Sequence, residues 1–573
     1  MSSLSLEDEC FRLDRRPYPA YKDLRGRKDR IGPIVLQFQS IQGDPFASPS
    51  RLKVTVEPRL TALPMWSKSS SAERVATGDF IHREMIRALG RMPRVSGSGK
   101  SGRVGLLPVG QEILDRSAVQ IHEDGSLSLL MTVGLPAAGR RILGRAAATL
   151  LVESIPDAIR QGIEGIDWER LEAHIHGYED QLAIRGALRA AELVAFVADD
   201  SVLPRISGVN DQPLLKGVPF VAPPNFRVTM NTPHSGPITG MGIPRGITLI
   251  VGGGYHGKST LLQAIARGIY NHIPGDGRER VVTDRDSVWI RAEDGRSVNG
   301  VDLRPFITNL PLGRDTAHFH SADASGSTSQ AAAVVEALEV GAKALLIDED
   351  IAATNFMIRD ARMRALIPPA EEPITPYLDR VESLFEEQGV SSILVVGGAG
   401  DYLSVANSVI QMESYQPRDV TERAREVVRQ IPSATEAQSV GPWPSSSRRI
   451  PGVRNLNASR GRKRDRVRSM GTRGIEFGDE EIDLSLLEQL VDPAQARLIA
   501  DILLALSRGA FVREAGWGIG EIVNEVDRQL EEEGILSISE RGYGDRARPR
   551  KYEVAAALNR LRSLSFSGEP QGD

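Results

Sequence analysis

Residues 246–262 read Gly-Ile-Thr-Leu-Ile-Val-Gly-Gly-Gly-Tyr-His-Gly-Lys-Ser-Thr-Leu-Leu and hold the pattern G-x-x-x-x-G-K-S at Gly252, Gly257, Lys258 and Ser259. The apolar run Ile247–Val251 reads as a buried strand and 259–268 as a helix, the setting a phosphate-binding loop requires. Gly252, Gly253 and Gly254 let the backbone curl until its N–H groups face phosphate oxygens, with Tyr255, His256 and Thr260 completing the loop. The helix start adds partial positive charge, Lys258 a full one, and the Ser259 hydroxyl is a Mg²⁺ ligand. A second set is Ala344-Leu345-Leu346-Ile347-Asp348-Glu349, four apolar residues ending in two carboxylates. A buried strand delivers such acids to the sheet edge where ligand binds: Asp348 to hold Mg²⁺, Glu349 to polarise an attacking water. A third is Ser325-Gly326-Ser327-Thr328-Ser329-Gln330, ahead of the helical run 331–339. Hydroxyls and free N–H groups at a helix start suit an anion, or simply cap the helix.

These sets need an α/β domain to carry them. Residues 226–430 supply it, with strands expected at Ile247–Val251, Val281–Thr283, Ser287–Ile290, Ala344–Ile347 and Ser392–Val396. Before it, 1–225 reads as an α+β domain. Strands are expected at Ile34–Phe38 and Leu52–Val56, a helix over 71–90, a helix from about 141 to Val152, a helix over 178–192 and a strand at Leu193–Val197. After it, 431–480 reads as a linker, Pro/Ser-rich and then basic, and 481–573 as a small helical domain. Between Arg448 and Arg473 there are ten basic residues against one acid, Asp465. Such a block is a disordered solvated arm, a polyanion-binding arm, or both. Its central cations are Arg460, Arg462, Lys463, Arg464, Arg466 and Arg468.

Residues 94–101, Arg-Val-Ser-Gly-Ser-Gly-Lys-Ser, approach a second phosphate loop, but Arg94 stands where glycine is required. A basic loop touching a polyanion backbone through Lys100 and Arg103, or a solvated loop, is the better reading. His318 and His320 would share one face of a strand, yet no Cys or carboxylate pair completes a metal set. The chain of 573 residues carries a net charge of −5, so any affinity for nucleic acid must be local. One cysteine, Cys10, rules out an internal disulfide framework and fits a reducing compartment. The first residues lack an apolar segment and no run approaches 18 apolar residues, so a cytoplasmic protein without a membrane span is expected.

The strings GGGYHGKSTLL, GDGRE, RAEDGR, ASGSTSQAA, LLIDED, ATNFMIRD, PITP and GGAGDY resemble those of the predicted ATPases of the ABC class, a non-transporter branch. QGDPFASPSR, GSGKSG, GQEIL, GLPAAGR and LPRISG resemble its N-terminal part, and the likeness spans about residues 10–430. The resemblance implies an ABC-type P-loop core with a packed N-terminal domain, ATP and Mg²⁺ as ligands, and an ATP-sandwich homodimer. RNA or another nucleic acid is the implied partner.

The same resemblance assigns Ser325–Gln330 as the signature that contacts ATP in trans, 23 residues before Asp348, and Asn355 as the D-loop position. It points to Phe226 as an adenine-stacking ring and to Glu293 or Asp294 as the edge-loop residue. Gly398 falls where ABC ATPases carry a switch histidine, and the 67 residues from Lys258 to Ser325 are few for the usual helical subdomain. The output of the cycle is a nucleic-acid machine or a regulatory, protein-remodelling ATPase with a protein client. A P-loop kinase acting on a small molecule is a weaker third reading.

Overall fold

The computed structural model describes residues 4–214, 216–368, 371–431, 440–444, 448–461, 465–514, 516–538 and 543–566. They form two compact units. The first holds the residues up to Glu179 together with Glu533–Arg548, and the second holds Asp180–Glu532 with the chain from Pro549 onward.

In the first unit, strands Lys28–Ile31, Ile34–Ser40, Ser50–Val56 and Leu127–Val133 follow one another in an antiparallel sheet. Ser50–Val56 alternates buried and half-buried residues, as its sequence SRLKVTV demands of a strand with one face in the core. The expected helix is Ser71–Gly90, started by a capping box in which Ser70 and Glu73 satisfy each other's backbone N–H groups. A late segment completes the unit. The Ser117 N–H donates to the Arg546 carbonyl, the Arg546 N–H donates to Ser117 Oγ, and Arg51 and Arg546 lie over the ring of Tyr543. Gly544 passes so close to the Leu130 carbonyl that a Cβ would sit 2.0 Å from it. No local pattern in the sequence announces this return of the chain.

The second unit is built on a sheet ordered Ser287–Ile290, Ala344–Asp348, Ser391–Val395, Ile247–Val251, Ser408–Glu413, Gln416–Asp419. The first five strands are parallel and the last is antiparallel. The three central strands are buried almost throughout, which accounts for their unbroken apolar sequences. Val281–Thr283, one of the expected strands, lies outside this sheet and pairs antiparallel with Leu193–Ala198, beside Gly236–Pro244 and Arg227–Thr232. A run as short as Val-Val-Thr does not encode its partner. This second sheet also corrects the boundary at 225, since Leu193–Ala198 belongs with the P-loop unit. The helix expected over 178–192 runs from Trp168 to Leu188.

The C-terminal part is not purely helical, and the basic block is not all a loose arm. Val467–Ser469, Gly474–Phe477 and Glu480–Asp483 make an antiparallel sheet that packs on helix Pro493–Ser507, with helices Ile519–Glu533 and Lys551–Asn559 following. Arg449 is buried on Glu339, Arg466 pairs with Glu476 and Arg460 with Asp479. Carboxylates outside the block thus take up cations that a charge count leaves free. Buried Gln489 closes the edge of the parallel sheet: its Oε1 accepts from the Trp289 N–H and its Nε2 donates to Ala266 and Ser287 carbonyls.

Candidate nucleotide-binding site

The phosphate loop leaves strand Ile247–Val251 and enters helix Lys258–Arg267. Gly252 has φ +140° and a Cβ there would lie 2.4 Å from the Met412 carbonyl, so only glycine fits. The first intrahelical bond runs from Leu261 N–H to the Gly257 carbonyl, leaving the N–H groups of Lys258, Ser259 and Thr260 as unsatisfied helix-start donors. Lys258 curls into the loop, with Nζ donating to the Gly252 and Gly253 carbonyls at 2.7 and 2.9 Å. A γ-phosphate offers the ammonium a stronger acceptor than these carbonyls. Tyr255 is fully exposed at φ +65°. His256 does not hang free: its Nδ1 accepts the Ser414 N–H at 2.8 Å and its carbonyl accepts the Tyr415 N–H at 3.0 Å.

Strand Ala344–Asp348 brings its carboxylates to the same sheet edge. Asp348 is buried, and its Oδ1 accepts the Asp350 N–H at 3.2 Å; burial raises its pKa and the nearby Ser259 hydroxyl works against that rise. A hard carboxylate with a hydroxyl near it is a donor pair that fits Mg²⁺. The next residue, Glu349, accepts two backbone hydrogen bonds at Oε2, from Gly397 N–H at 2.6 Å and Gly398 N–H at 3.0 Å. These glycines follow strand Ser391–Val395, which is in register with Ala344–Asp348. At the position of a switch histidine the chain therefore offers a main-chain clamp on the carboxylate.

Among the signature candidates the structure divides surface from interior. Ser325 is exposed and its Oγ lies 3.3 Å from Ser327 Oγ and 3.1 Å from Thr328 Oγ1; Gly326 and Thr328 are half-exposed. Ser327, Ser329 and Gln330 are buried. Ser329 Oγ accepts from the Glu293 N–H and donates to the Gly326 carbonyl. Gln330 Oε1 accepts the Ala353 N–H, tying helix Gly326–Glu339 to the turn before Asn355. A side chain spent inside its own chain cannot reach a neighbour's phosphate, so Ser329 and Gln330 hold this helix in place, and a trans contact is left to Ser325, Gly326 and Thr328. Asn355 is exposed on the short helix Thr354–Met357.

Glu293 is not a free edge-loop residue: it is largely buried in an ion pair with Arg560. Asp294 is exposed, and a Cβ on Gly326 would lie 3.1 Å from its Oδ1, so Asp294 borders the signature turn. Phe226 is half-buried and packed on the core that includes Ile410 and Met412, which leaves less of its ring for stacking than expected. His318 pairs with Asp315 and His320 Nδ1 accepts the Gly300 N–H, and among the described residues no three or more His, Cys, Asp or Glu side chains gather as a metal set.

The loop around Lys100 is no phosphate cradle. The N–H groups of Ser98, Lys100 and Gly102 donate to the carbonyls of Ala137, Pro45 and Gly134. Arg103 and Arg468 are exposed and Lys100 is half-exposed, whereas Arg462, Lys463 and Arg464 lie outside the described residues. Gly397, Ser414, Tyr415 and Arg560 are not marked out by the sequence, and Gly398 is marked only as the position that lacks a histidine. All reach the site from distant segments, and only the double glycine carried a signal, through its place after a buried strand.

Residues 167–447 match the family model of the ABC_ATPase P-loop domain, and residues 4–165 that of the N-terminal domain of ATPases of the ABC class. The chain belongs to the ABC-class ATPases. Residues 466–567 of this ATPase match the model of the MRB1590 C-terminal domain. The family junction near 166, like the end of the first unit at Glu179, falls well before 225. A relative, the uncharacterized protein MJ1628 of Methanocaldococcus jannaschii, is 27% identical over 253 residues, covering 42% of this chain and 54% of its own length. The ATPase thus spans about half of that curated relative. Among solved structures, cbiO1 from Clostridium perfringens, part of the ABC transporter complex cbiONQ, matches at 14% identity and TM-score 0.26. The ATP-binding cassette MJ1267 in its ADP conformation matches at 12% and 0.25. Each match covers 42% of this ATPase and 96% of the solved chain. Among the described residues no helix is long and apolar enough to cross a membrane.

Proposed function

We propose that this ATPase hydrolyses ATP in a site shared by two copies in a head-to-tail homodimer, and couples closure to nucleic acid. The observation that carries the shared site is the division of its parts. The phosphate loop, Asp348 and Glu349 gather at one sheet edge, while the signature helix Gly326–Glu339 packs against the edge strand Ser287–Ile290. That strand is three strand spacings, about 14 Å, from the P-loop strand. An isologous dimer brings the exposed Ser325 turn of one copy to the phosphate loop of the other.

Within that site the helix-start N–H groups and Lys258 bind the β- and γ-phosphates. A Mg²⁺ ion held by Ser259 and Asp348 would offset charge on the phosphate oxygens. Glu349, oriented by the Gly397 and Gly398 N–H groups, takes a proton from the attacking water, and the partner's Ser325 and Thr328 hydroxyls add donors to the developing charge.

The nucleic-acid reading, with RNA as first candidate, draws support from one cluster in the first unit. The Lys100 loop is bonded to 134–139 through Gly102 and Ser98, which brings Lys100, Arg103, Arg141 and Arg145 onto neighbouring segments. None of these four has a carboxylate ion pair among the described residues, and Phe46, beside the Pro45 carbonyl that Lys100 bonds, is 62% exposed. Unpaired cations next to an exposed ring suit a single strand. Measuring ATPase rate and binding with RNA, single-stranded DNA and duplex DNA over a salt series tests this. Affinity should fall steeply with salt, and Lys100→Ala with Arg103→Ala should lower the log–log slope by about 1 per cation removed. No binding at low salt removes the reading and leaves a protein client as the output.

A further inference from the structure

Strands Ser408–Glu413 and Gln416–Asp419 pair with Glu413 opposite Gln416, so Ser414 and Tyr415 alone make the turn. Their φ values are +49° and +66°, both left-handed. A two-residue hairpin of this kind favours Asn-Gly, because a Cβ is unfavourable at both positions. The turn is docked on the phosphate loop through His256, yet both bonds come from backbone N–H groups, which any residue except proline would supply. Docking therefore explains the turn but not the tyrosine in it. The ring lies against the loop itself: a Cβ on Gly257 would be 2.7 Å from Tyr415 Cδ1. The residue is 39% exposed, and its hydroxyl has no hydrogen bond among the described residues. A sterically disfavoured aromatic, held against the phosphate loop and partly open to solvent, has the features of a ligand-contacting residue.

We infer that Tyr415 supplies the aromatic face on which the base of the bound nucleotide stacks, with Ser414 and His256 as positioning residues. Phe226, the ring expected in that role, is half-buried with its ring packed against the core. The inference rests on the ATP-binding reading of the phosphate loop, and it divides the ligand: the loop takes the phosphates and Tyr415 takes the base.

Titration calorimetry of the full chain with ATP and, separately, with inorganic tripolyphosphate tests it on Tyr415→Gly and Tyr415→Phe. Glycine suits the left-handed turn, so Tyr415→Gly keeps or raises the Tm. It should weaken ATP about tenfold, the scale of one lost base–aromatic stack, and leave tripolyphosphate unchanged. Tyr415→Phe should stay within about twofold of wild type for both. Wild-type ATP affinity in Tyr415→Gly overturns the inference, as does equal weakening of both ligands, which would make the ring a support for the loop. If wild type binds tripolyphosphate and ATP equally, no base contact exists. If it binds neither, the ATP-binding reading itself fails.

Discussion

Replacing Glu349 by Gln is expected to lower ATP turnover at least about a hundredfold while ATP stays bound. That is the lower end of what a positioned general base contributes. The environment makes this a clean chemical test. Gly397 and Gly398 donate to Glu349 Oε2, and an amide oxygen accepts the same two bonds. The variant side chain therefore keeps its place, and no buried donor is orphaned. What it loses is the capacity to take a proton from water. Nucleotide stays bound because the phosphate loop is untouched, and in the proposed shared site an unhydrolysed nucleotide should hold two copies together. Single-turnover hydrolysis with filter retention of labelled ATP reads both effects. Hydrolysis at the wild-type rate would show that another group activates the water.

The second large effect lies in the C-terminal part, at Arg560. Its guanidinium and the Glu293 carboxylate are mutually paired and nearly solvent-free, and a second buried pair, Arg296 with Glu336, lies close by. Burial would raise the Glu293 pKa, but Arg560 and Arg296 outweigh it and hold it below the ordinary glutamate range. Its contribution to stability is therefore present above the unfolded-state pKa and is lost as pH falls through the lowered one. Arg560→Met leaves Glu293 charged and without its partner, and should cost about 3–5 kcal/mol in urea unfolding of the full chain. Adding Glu293→Leu should recover most of that loss, because two apolar side chains in the same space carry no unpaired charge. Turnover should fall with the single variant as well. The Glu293 N–H bonds Ser329 on the signature helix, and the Ala292 N–H bonds the Ile351 carbonyl just beyond Glu349. Full stability in Arg560→Met would mean that the pair is dispensable.

Local chemistry was legible in the sequence and long-range partnership was not. The phosphate loop and the Asp348–Glu349 pair could be read because each is a short string: an apolar strand, then the residues that its end presents. Helix Ser71–Gly90 could be read from its apolar spacing, and its capping box confirms the start. Val281–Thr283 was legible as a strand, but so short a run does not say which sheet it joins. The basic block read as an arm because the acids that pair with it stand outside it, Glu339 far back in the chain and Glu476 and Asp479 just past its end. The signature turn carried its hydroxyls in plain view. Which of them face outward depends on how helix Gly326–Glu339 is seated, and that is set by Glu293 and Ala353 from other segments.

The central claim is that the phosphate loop of one copy works with the signature turn of another, and a mixing experiment tests it most directly. Lys258→Ala removes the phosphate-loop ammonium from one population; Ser325→Glu sets a carboxylate against phosphate in the other. Each alone should be inactive as a homodimer. A mixed dimer has one site with an intact loop from one copy and an intact turn from the other. Equal mixing should therefore restore about a quarter of the wild-type rate, since half of the dimers are mixed and each has one live site of two. A mixture as inactive as its parents, with both variants folded and dimerising, would contradict the account.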